Sequence, residues 1–254
     1  MDIKFALNLY STLLINKSMN LTPNIQLIDL AVWLKKQKTL VVADFHIGFE
    51  EALNKQGVLV PRFQYKDVIR RLSKIFVKVK PETIVVNGDL KHEFGRISEQ
   101  EWREALKLAD FLSKHCKKLF LTKGNHDKIL GPIAKKRGIE VVDKFETGST
   151  LILHGDKLPK SLPKCKTIII GHEHPAVSLQ ERGRVEKFKC FLVGKYKGKT
   201  LIVQPSFKLT SEGTDVLKER VLSPFLKKGL GNFDVFVVAD KIYRFGKVKY
   251  LQGE

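Results

Sequence analysis

The 254-residue sequence has few cysteines, no long apolar run and no recognisable export signal. Its three cysteines, Cys116, Cys165 and Cys190, are scattered and form no CxxC pair, which argues against a disulfide framework and against a cysteine-bound metal. No apolar run reaches the roughly 20 residues that a membrane-spanning helix needs. The opening residues Met1–Lys4 lack the basic segment that begins a secretory signal. We therefore expect a cytoplasmic protein with reduced thiols and no membrane span.

Acidic residues are also scarce. The chain has 27 Asp and Glu against 46 Lys and Arg, which gives a net charge of +19. One explanation of this charge is a lysine-rich surface whose side chains form ion pairs, as in thermophilic proteins. Here, however, the acidic residues are too few to pair with all the basic ones. A strongly basic surface attracts polyanions. We therefore expect nucleic acid as the partner, while the sequence leaves the oligomeric state open.

Two further absences limit what the chain can do to nucleic acid by itself. It contains no GxxxxGKS/T phosphate-binding loop and no long heptad repeat, so ATP-driven unwinding would need a partner protein. It also shows no helix-turn-helix or zinc-finger signature, which predicts weak sequence preference.

The length and the 43% share of hydrophobic residues suit one domain with an ordinary core. Residues 1–18 carry no motif, and the sequence from Met19 onward resembles a second translation start. We interpret residues 1–18 as an N-terminal extension and residues 19–254 as a single domain.

Five short apolar runs punctuate the chain and predict buried strands. The runs are Thr39–Ala43, Thr83–Gly88, Leu119–Gly124, Thr150–Leu153 and Thr167–Gly171. Two helices are predicted between them, one beginning near Pro61 and one at the capping-box pattern Ser98–Glu101. Strands that alternate with helices predict the β-α-β units of an α/β fold.

Each apolar run leads into residues that can bind a metal ion. Ligands gather where the strands of layered folds end, so we expect these side chains to meet in one place. They are Asp44, His46, Asp89, Asn125, His154, His172 and His174. Seven oxygen and nitrogen ligands are a set typical of a two-metal hydrolytic site.

Written as a pattern, these blocks give D-x-H, G-D, G-N-H-D, H and G-H-x-H in that order. The pattern resembles the calcineurin-like metallophosphoesterase superfamily. The stretches Leu40–Gly48 and Val86–Gly95 are similar to one branch of it, the archaeal SbcD-related phosphoesterases and their bacterial relatives, the PdeM ligase-associated DNA-damage endonucleases. The resemblance implies an α/β fold, a four-layer α-β-β-α sandwich of two mixed β-sheets flanked by helices.

The resemblance also implies which residues hold each of two divalent metal ions. Asp89 would bridge the ions, because a carboxylate can span two cations while cancelling charge. The others divide into Asp44, His46 and His174 for one ion, and Asn125, His154 and His172 for the other. Mixed nitrogen and oxygen ligation favours manganese, with iron, zinc, nickel and magnesium as alternatives.

Three further residues receive roles near the substrate. His126 resembles the histidine that protonates or stabilises the leaving oxygen, and Asp127 would orient its ring and raise its pKa. Alternatively, Asp127 caps a helix that follows. His92 either contacts the substrate phosphate or packs the loop after Asp89.

The implied function is that of a dinuclear-metal-dependent phosphodiesterase or nuclease acting on DNA, with a protein partner from a DNA repair system. A hydroxide held between the ions would attack phosphorus while His126 assists the leaving group. A hydrolase of small phosphoesters or nucleotides is the first alternative. A non-catalytic binding scaffold is the second, and it would require the loss of ligands that this sequence retains.

Overall fold

A computed structural model of the chain describes residues 17–61, 63–92, 98–127, 134, 136–181 and 183–251. Two mixed β-sheets pack face to face. Within the described part of the chain, no helix is long and apolar enough to cross a bilayer.

The first sheet contains seven strands whose spatial order follows the sequence. β1 to β4 form an antiparallel meander, whereas β4, β5, β6 and β7 run parallel to one another. The strands are β1 Ser18–Asn20, β2 Ile25–Ile28, β3 Ala31–Leu34, β4 Thr39–Ala43, β5 Thr83–Asn87, β6 Lys118–Thr122 and β7 Glu140–Val142. The parallel part of this sheet directs the carboxyl ends of β4, β5 and β6 to the same edge.

The second sheet has the order β14-β11-β12-β13-β10-β9-β8, and β15 pairs with both β12 and β16. Its neighbours β9, β10 and β13 are parallel. The strands are β8 Phe145–Thr147, β9 Thr150–Ile152, β10 Thr167–Ile170, β11 Pro175–Glu181, β12 Arg184–Tyr196, β13 Lys199–Val203, β14 Thr214–Asp215, β15 Asp234–Val238 and β16 Ile242–Lys247.

Among the described residues, the helices with defined bounds are α1 Phe49–Lys55, α2 Gln64–Lys78 and α3 Glu99–Ser113, with a 3-10 turn at Val248–Tyr250. α3 begins as predicted, because the Ser98 hydroxyl accepts the N–H of Glu101 at 3.1 Å. α2 begins at Gln64 rather than near Pro61. The Glu50 carboxylate accepts the N–H of Gln64 at 2.9 Å, so the cap comes from another element, which local pattern does not reveal.

Alternation along the strands divides the apolar side chains between two cores. Ile169 of β10 faces the first sheet and joins the core that α2 and α3 complete, whereas Ile168 and Ile170 face the opposite way. The second core is covered by residues 216–233, where turns rather than an α-helix form the outer layer. Pro224 and two nearby glycines interrupt this segment. The predicted α/β fold with two mixed sheets is confirmed.

Strand pairing begins at the last residue of the predicted extension. Ser18 pairs with Ile28, and the carbonyl of Lys17 accepts the N–H of Asp29 at 2.7 Å. Residues 1–16 lie outside the described part of the chain, so the division into an extension and a domain stays a prediction.

Candidate metal centre

The seven candidate ligands follow the carboxyl ends of five strands. β4, β5 and β6 are parallel neighbours in one sheet, and β9 and β10 are parallel neighbours in the other. Contacts between ligands from different sheets show that the two sets of strand ends meet. The ligands are Asp44 and His46 after β4, Asp89 after β5, Asn125 after β6, His154 after β9, and His172 and His174 after β10.

Three donor atoms form a first group between the sheets. The Nε2 atoms of His46 and His174 lie 3.2 Å apart. Nε2 of His174 also lies 3.5 Å from Oδ2 of Asp44. Two ring nitrogens and a carboxylate oxygen at these distances can share one cation. The structure brings together the three residues that the sequence assigned to the first ion.

A second group forms around His154. Its Nε2 lies 3.0 Å from Oδ1 of Asn125, 3.2 Å from Nδ1 of His172 and 3.4 Å from Oδ2 of Asp89. Imidazole nitrogens with amide and carboxylate oxygens are a mixed ligand set that suits first-row transition metals.

Asp89 lies between the two groups. The same Oδ2 that contacts His154 lies 3.6 Å from Nε2 of His46. The other oxygen, Oδ1, accepts the backbone N–H of His126 at 2.9 Å, which fixes the carboxylate in place. One oxygen within reach of both groups is the geometry that a bridging ligand requires.

Buried polar atoms also fit a pair of cations. Oδ1 of Asp44 and Nδ1 of His154 make no hydrogen bond among the described residues, and the two atoms lie 3.4 Å from each other. The carboxylates of Asp44 and Asp89 are only 0% and 2% exposed. Burying charge in this way is costly unless something compensates it, and two divalent ions would do so.

The backbone at the ligands adopts an uncommon conformation. Asp44, His46, Asp89, His172 and His174 have positive φ angles of 55°, 45°, 44°, 64° and 49°. Left-handed backbone at residues other than glycine costs about 1–3 kcal/mol and concentrates at functional sites. The fold therefore holds these five side chains in place against a local conformational preference.

Three glycines of the motifs allow other chain segments to approach the ligands. A Cβ added at Gly88 would lie 2.1 Å from Nδ1 of His154, and one at Gly124 would lie 2.1 Å from Oδ1 of Asp89. A Cβ at Gly171 would lie 2.5 Å from Oδ2 of Asp44. The glycine in each block is explained by this contact, since no side chain fits beside the ligands.

We expect Gly124→Ala to lower metal occupancy and phosphodiester hydrolysis, because the added methyl group displaces Asp89. Gly124 has an ordinary φ angle, so the effect arises from the contact alone. Gly231→Ala is the matched control, since its Cβ would meet nothing closer than 3.5 Å. Metal content and circular dichroism of both variants test this. Full occupancy in Gly124→Ala would show that the loop moves aside.

Burial and neighbouring charged groups shift the pKa values of the candidate ligands and so determine which of them carry a proton. Burial and the neighbouring His174 lower the pKa of His46 well below its usual value, which keeps its ring neutral and ready to bind metal. For Asp89, burial is outweighed by His154 and His46, which hold its pKa below the ordinary range. Burial also opposes the charged form of His154, but its contacts with Asp89 and Asp44 raise the pKa of this ring to about 9.

Manganese binding by the metal-free protein should weaken as the pH falls below about 9. Because a cation must displace the His154 proton, we expect about a tenfold loss of affinity per pH unit below that pKa. Calorimetric titration over a pH series measures this. His154→Gln should bind more weakly and with a shallower pH dependence. An affinity in the unmodified chain that does not change across neutral pH would contradict the assignment.

His126 lies next to His46 of the first donor group. Its ring centroid is 4.8 Å from that of His46, and its Nδ1 contacts the carbonyl oxygen of His92. The role of Asp127 in orienting the His126 ring stays a prediction. The two oxygens of Asp127 accept the backbone N–H groups of Leu90 at 3.1 Å and Gly124 at 3.0 Å.

Asp127 therefore ties the loop after β5 to the loop after β6. Burial and the nearby Asp89 raise the pKa of Asp127 to about 7. The alternative, that Asp127 caps a following helix, concerns residues 128–133, which lie outside the described part of the chain.

His92 lies closer to the centre than its sequence position alone indicated. Its Nδ1 is 3.4 Å from Nδ1 of His46, and its ring stacks on His126 with centroids 5.3 Å apart. The ring nitrogens of these three histidines lie within 4.8 Å of one another, a third possible donor group that the sequence did not predict. Burial and the neighbouring His126 lower the pKa of His92 to about 4.

Sequence reasoning also missed a lysine beside the centre. The backbone N–H of Lys208 donates to the carbonyl of Asp44 at 3.0 Å. Its Nζ lies 3.3 Å from the centroid of the Phe49 ring, whose edge meets His92. Burial lowers the pKa of Lys208 to about 8. Its position directly after the strand-end segment Gln204–Phe207 is the only signal the sequence offers.

Comparison with solved structures finds a nuclease of similar fold. The crystal structure of Pseudomonas putida nuclease MPE matches with a TM-score of 0.62 at 21% identity, covering 87% of this chain and 94% of that one. A protein of unknown function from Aquifex aeolicus has a TM-score of 0.36 at 19% identity, covering 57% and 81%. A Vps29 double mutant from Entamoeba histolytica has a TM-score of 0.34 at 12% identity, covering 82% and 98%. No curated protein sequence matches significantly.

The sequence comparison gives the family directly. The family model for calcineurin-like phosphoesterases matches residues 37–190, a segment that contains all seven candidate ligands. Proteins of this family use a dinuclear metal centre, and the His and Asp groups described above could hold metal ions. The chain belongs to the calcineurin-like phosphoesterases, a family of metal-dependent phosphoester hydrolases.

Proposed function

We propose that this protein is a manganese-dependent phosphodiesterase that cleaves DNA. The observation that carries the proposal is the position of Asp89, whose Oδ2 lies within 3.6 Å of His46 and 3.4 Å of His154. Two bound cations would supply an activated water and neutralise negative charge on a phosphate. Asp44, His46, Asp89 and His174 would hold one cation, and Asp89, Asn125, His154 and His172 the other.

His126 is proposed to serve the leaving oxygen. Its Nδ1 contacts the His92 carbonyl, so Nδ1 carries the proton that the carbonyl accepts. In the protonated ring, Nε2–H would donate to the oxygen that departs. The Asp127 carboxylate fixes the loops on both sides of His126 and acts on the ring through the backbone.

Two observations support a nucleic-acid substrate over a small phosphoester. The net charge of +19 favours a polyanion. The structure from Pseudomonas putida that shares this fold is a nuclease. The similarity of Leu40–Gly48 and Val86–Gly95 to the SbcD-related and PdeM branch supports DNA, and a repair system, as the setting.

Hydrolysis measured on several substrates in parallel tests the proposal. We expect cleavage of supercoiled plasmid, linear duplex and bis-(p-nitrophenyl) phosphate with added manganese, and none with a chelator. DNA cleavage should decline steeply with salt, because phosphate contacts release counterions, whereas turnover of the small diester should not. If the protein hydrolysed mononucleotides efficiently and cleaved no DNA, its activity would be that of a small-phosphoester hydrolase rather than a nuclease. If no added metal supported hydrolysis of any substrate, the protein would be a non-catalytic binding scaffold.

A further inference from the structure

A basic cleft lies to one side of the metal centre, between α2 and β12. It has a volume of about 890 Å³. Its α2 wall is formed by Arg70, Arg71, Lys74 and Lys78. Lys74 follows the two arginines by three or four residues, and Lys78 follows Lys74 by four, so these side chains share one face of the helix. Arg70, Lys74 and Lys78 are exposed to solvent.

Positive charge dominates this cleft. Seven Lys and Arg side chains line it, against three carboxylates. Two of the carboxylates already have partners, since Asp29 accepts from Arg71 at 2.6 Å and Asp67 pairs with Arg70. Lys187 pairs with Glu219 from outside the lining at 3.1 Å, so cations still outnumber carboxylates by seven to four. The remaining excess of cations gives the cleft a field that attracts anions.

Two chain segments connect the cleft to the metal centre. Gln64, the first residue of α2, donates from its side chain to the carbonyl of Phe45 at 2.7 Å, between two candidate ligands. On the other wall, Ser206 accepts from Lys189 at 3.0 Å, and the next residues reach the metal loop, where the N–H of Lys208 donates to Asp44. Leu209, which follows, lines the cleft itself.

We propose that this cleft binds the sugar-phosphate backbone of nucleic acid on one side of the bond to be cut. The inference rests on the proposed function. It specifies the path that the bound strand follows away from the metal centre. The α2 wall extends from residue 67 to residue 78, which at 1.5 Å per residue is about 16 Å, enough for several consecutive phosphates.

The chain's own residues 1–16 are a poorer occupant by charge. They precede Lys17, which lines the cleft, but they contain a single acid, Asp2, and a single base, Lys4. A mainly apolar segment gives the excess cations nothing to pair with, whereas a phosphodiester backbone supplies one negative charge per nucleotide.

The test compares two double variants on neighbouring helices. Arg70→Glu with Lys74→Glu reverses two exposed cations in the cleft. Arg103→Glu with Lys107→Glu on α3 is the matched control, because both residues are exposed, have the same spacing and identity, and lie outside the cleft. Fluorescence anisotropy with labelled oligo-dT and oligo-U, in a chelator that silences hydrolysis, gives affinity over a salt series.

We expect the cleft variant to bind oligo-dT at least about tenfold more weakly, while the α3 variant stays within about twofold of the unmodified chain. The slope of log affinity against log salt should become shallower by about 0.7 for each phosphate of the single strand that the variant no longer neutralises. Hydrolysis of bis-(p-nitrophenyl) phosphate should be unchanged in both variants. Equal effects with oligo-U would identify the backbone, rather than the deoxyribose, as the group recognised.

Unchanged affinity in the cleft variant, alongside normal DNA cleavage, would overturn this inference and leave the proposed function intact. Loss of affinity in a protein that cleaves no diester would support the cleft and remove the proposed function. A lower melting temperature with unchanged affinity would assign Arg70 and Lys74 a structural role and also overturn the inference.

Discussion

Asp89→Asn should reduce hydrolysis of every phosphodiester substrate to the level of the chelator-treated protein. The Asp89 oxygen that lies 3.6 Å from His46 and 3.4 Å from His154 is placed between the two donor groups. An amide keeps the shape of the side chain and removes the negative charge that holds two dications close together. Metal analysis should therefore find fewer than two ions per chain.

Asp143→Asn is the control for that substitution. Asp143 makes a surface ion pair with Lys123, and its side chain is 84% exposed, so the same chemical change there should leave activity and metal content unaltered. If Asp89→Asn retained two ions and a normal rate, the bridging role would have to be assigned to another group.

His126→Ala should retain both metal ions yet slow DNA cleavage by roughly 10²–10⁴-fold, the usual loss for a general acid. Its ring is held by a contact with the His92 carbonyl and lies outside the two proposed ligand sets. Removing it should therefore affect the leaving group more than the metals. Hydrolysis of a nitrophenyl diester should suffer much less, because nitrophenolate departs without a proton.

His115→Ala provides the matched histidine control. That ring stacks on Phe76 with centroids 4.2 Å apart and belongs to none of the candidate donor groups. We expect it to lower stability without changing the ratio of rates on good and poor leaving groups. Equal losses on both kinds of substrate in His126→Ala would argue for a positioning role instead of proton donation.

The sequence predicted those features that depend on local pattern. Thr39–Ala43 is a predicted run and is also β4, and the Ser98 capping box marks the start of α3. Local alternation, propensity and capping chemistry suffice for these elements. The order of the metal blocks likewise identified the residues that five strand ends bring together.

Features that depend on contacts between distant segments could not be read in this way. Glu50 caps α2 across 14 positions, and Asp127 reaches Leu90 across 37 positions. Lys208 approaches the centre because its backbone pairs with Asp44. No periodicity or spacing encodes such contacts, since they arise only when the sheets have packed.

The left-handed backbone at the five ligands has a consequence for the evolution and engineering of the protein. Replacing any of these residues by glycine would remove local strain and raise the stability of the metal-free protein. The same change would delete a ligand. Selection for thermal stability and selection for activity therefore oppose each other at the strand ends, and stabilising substitutions should accumulate on helices and outer turns instead.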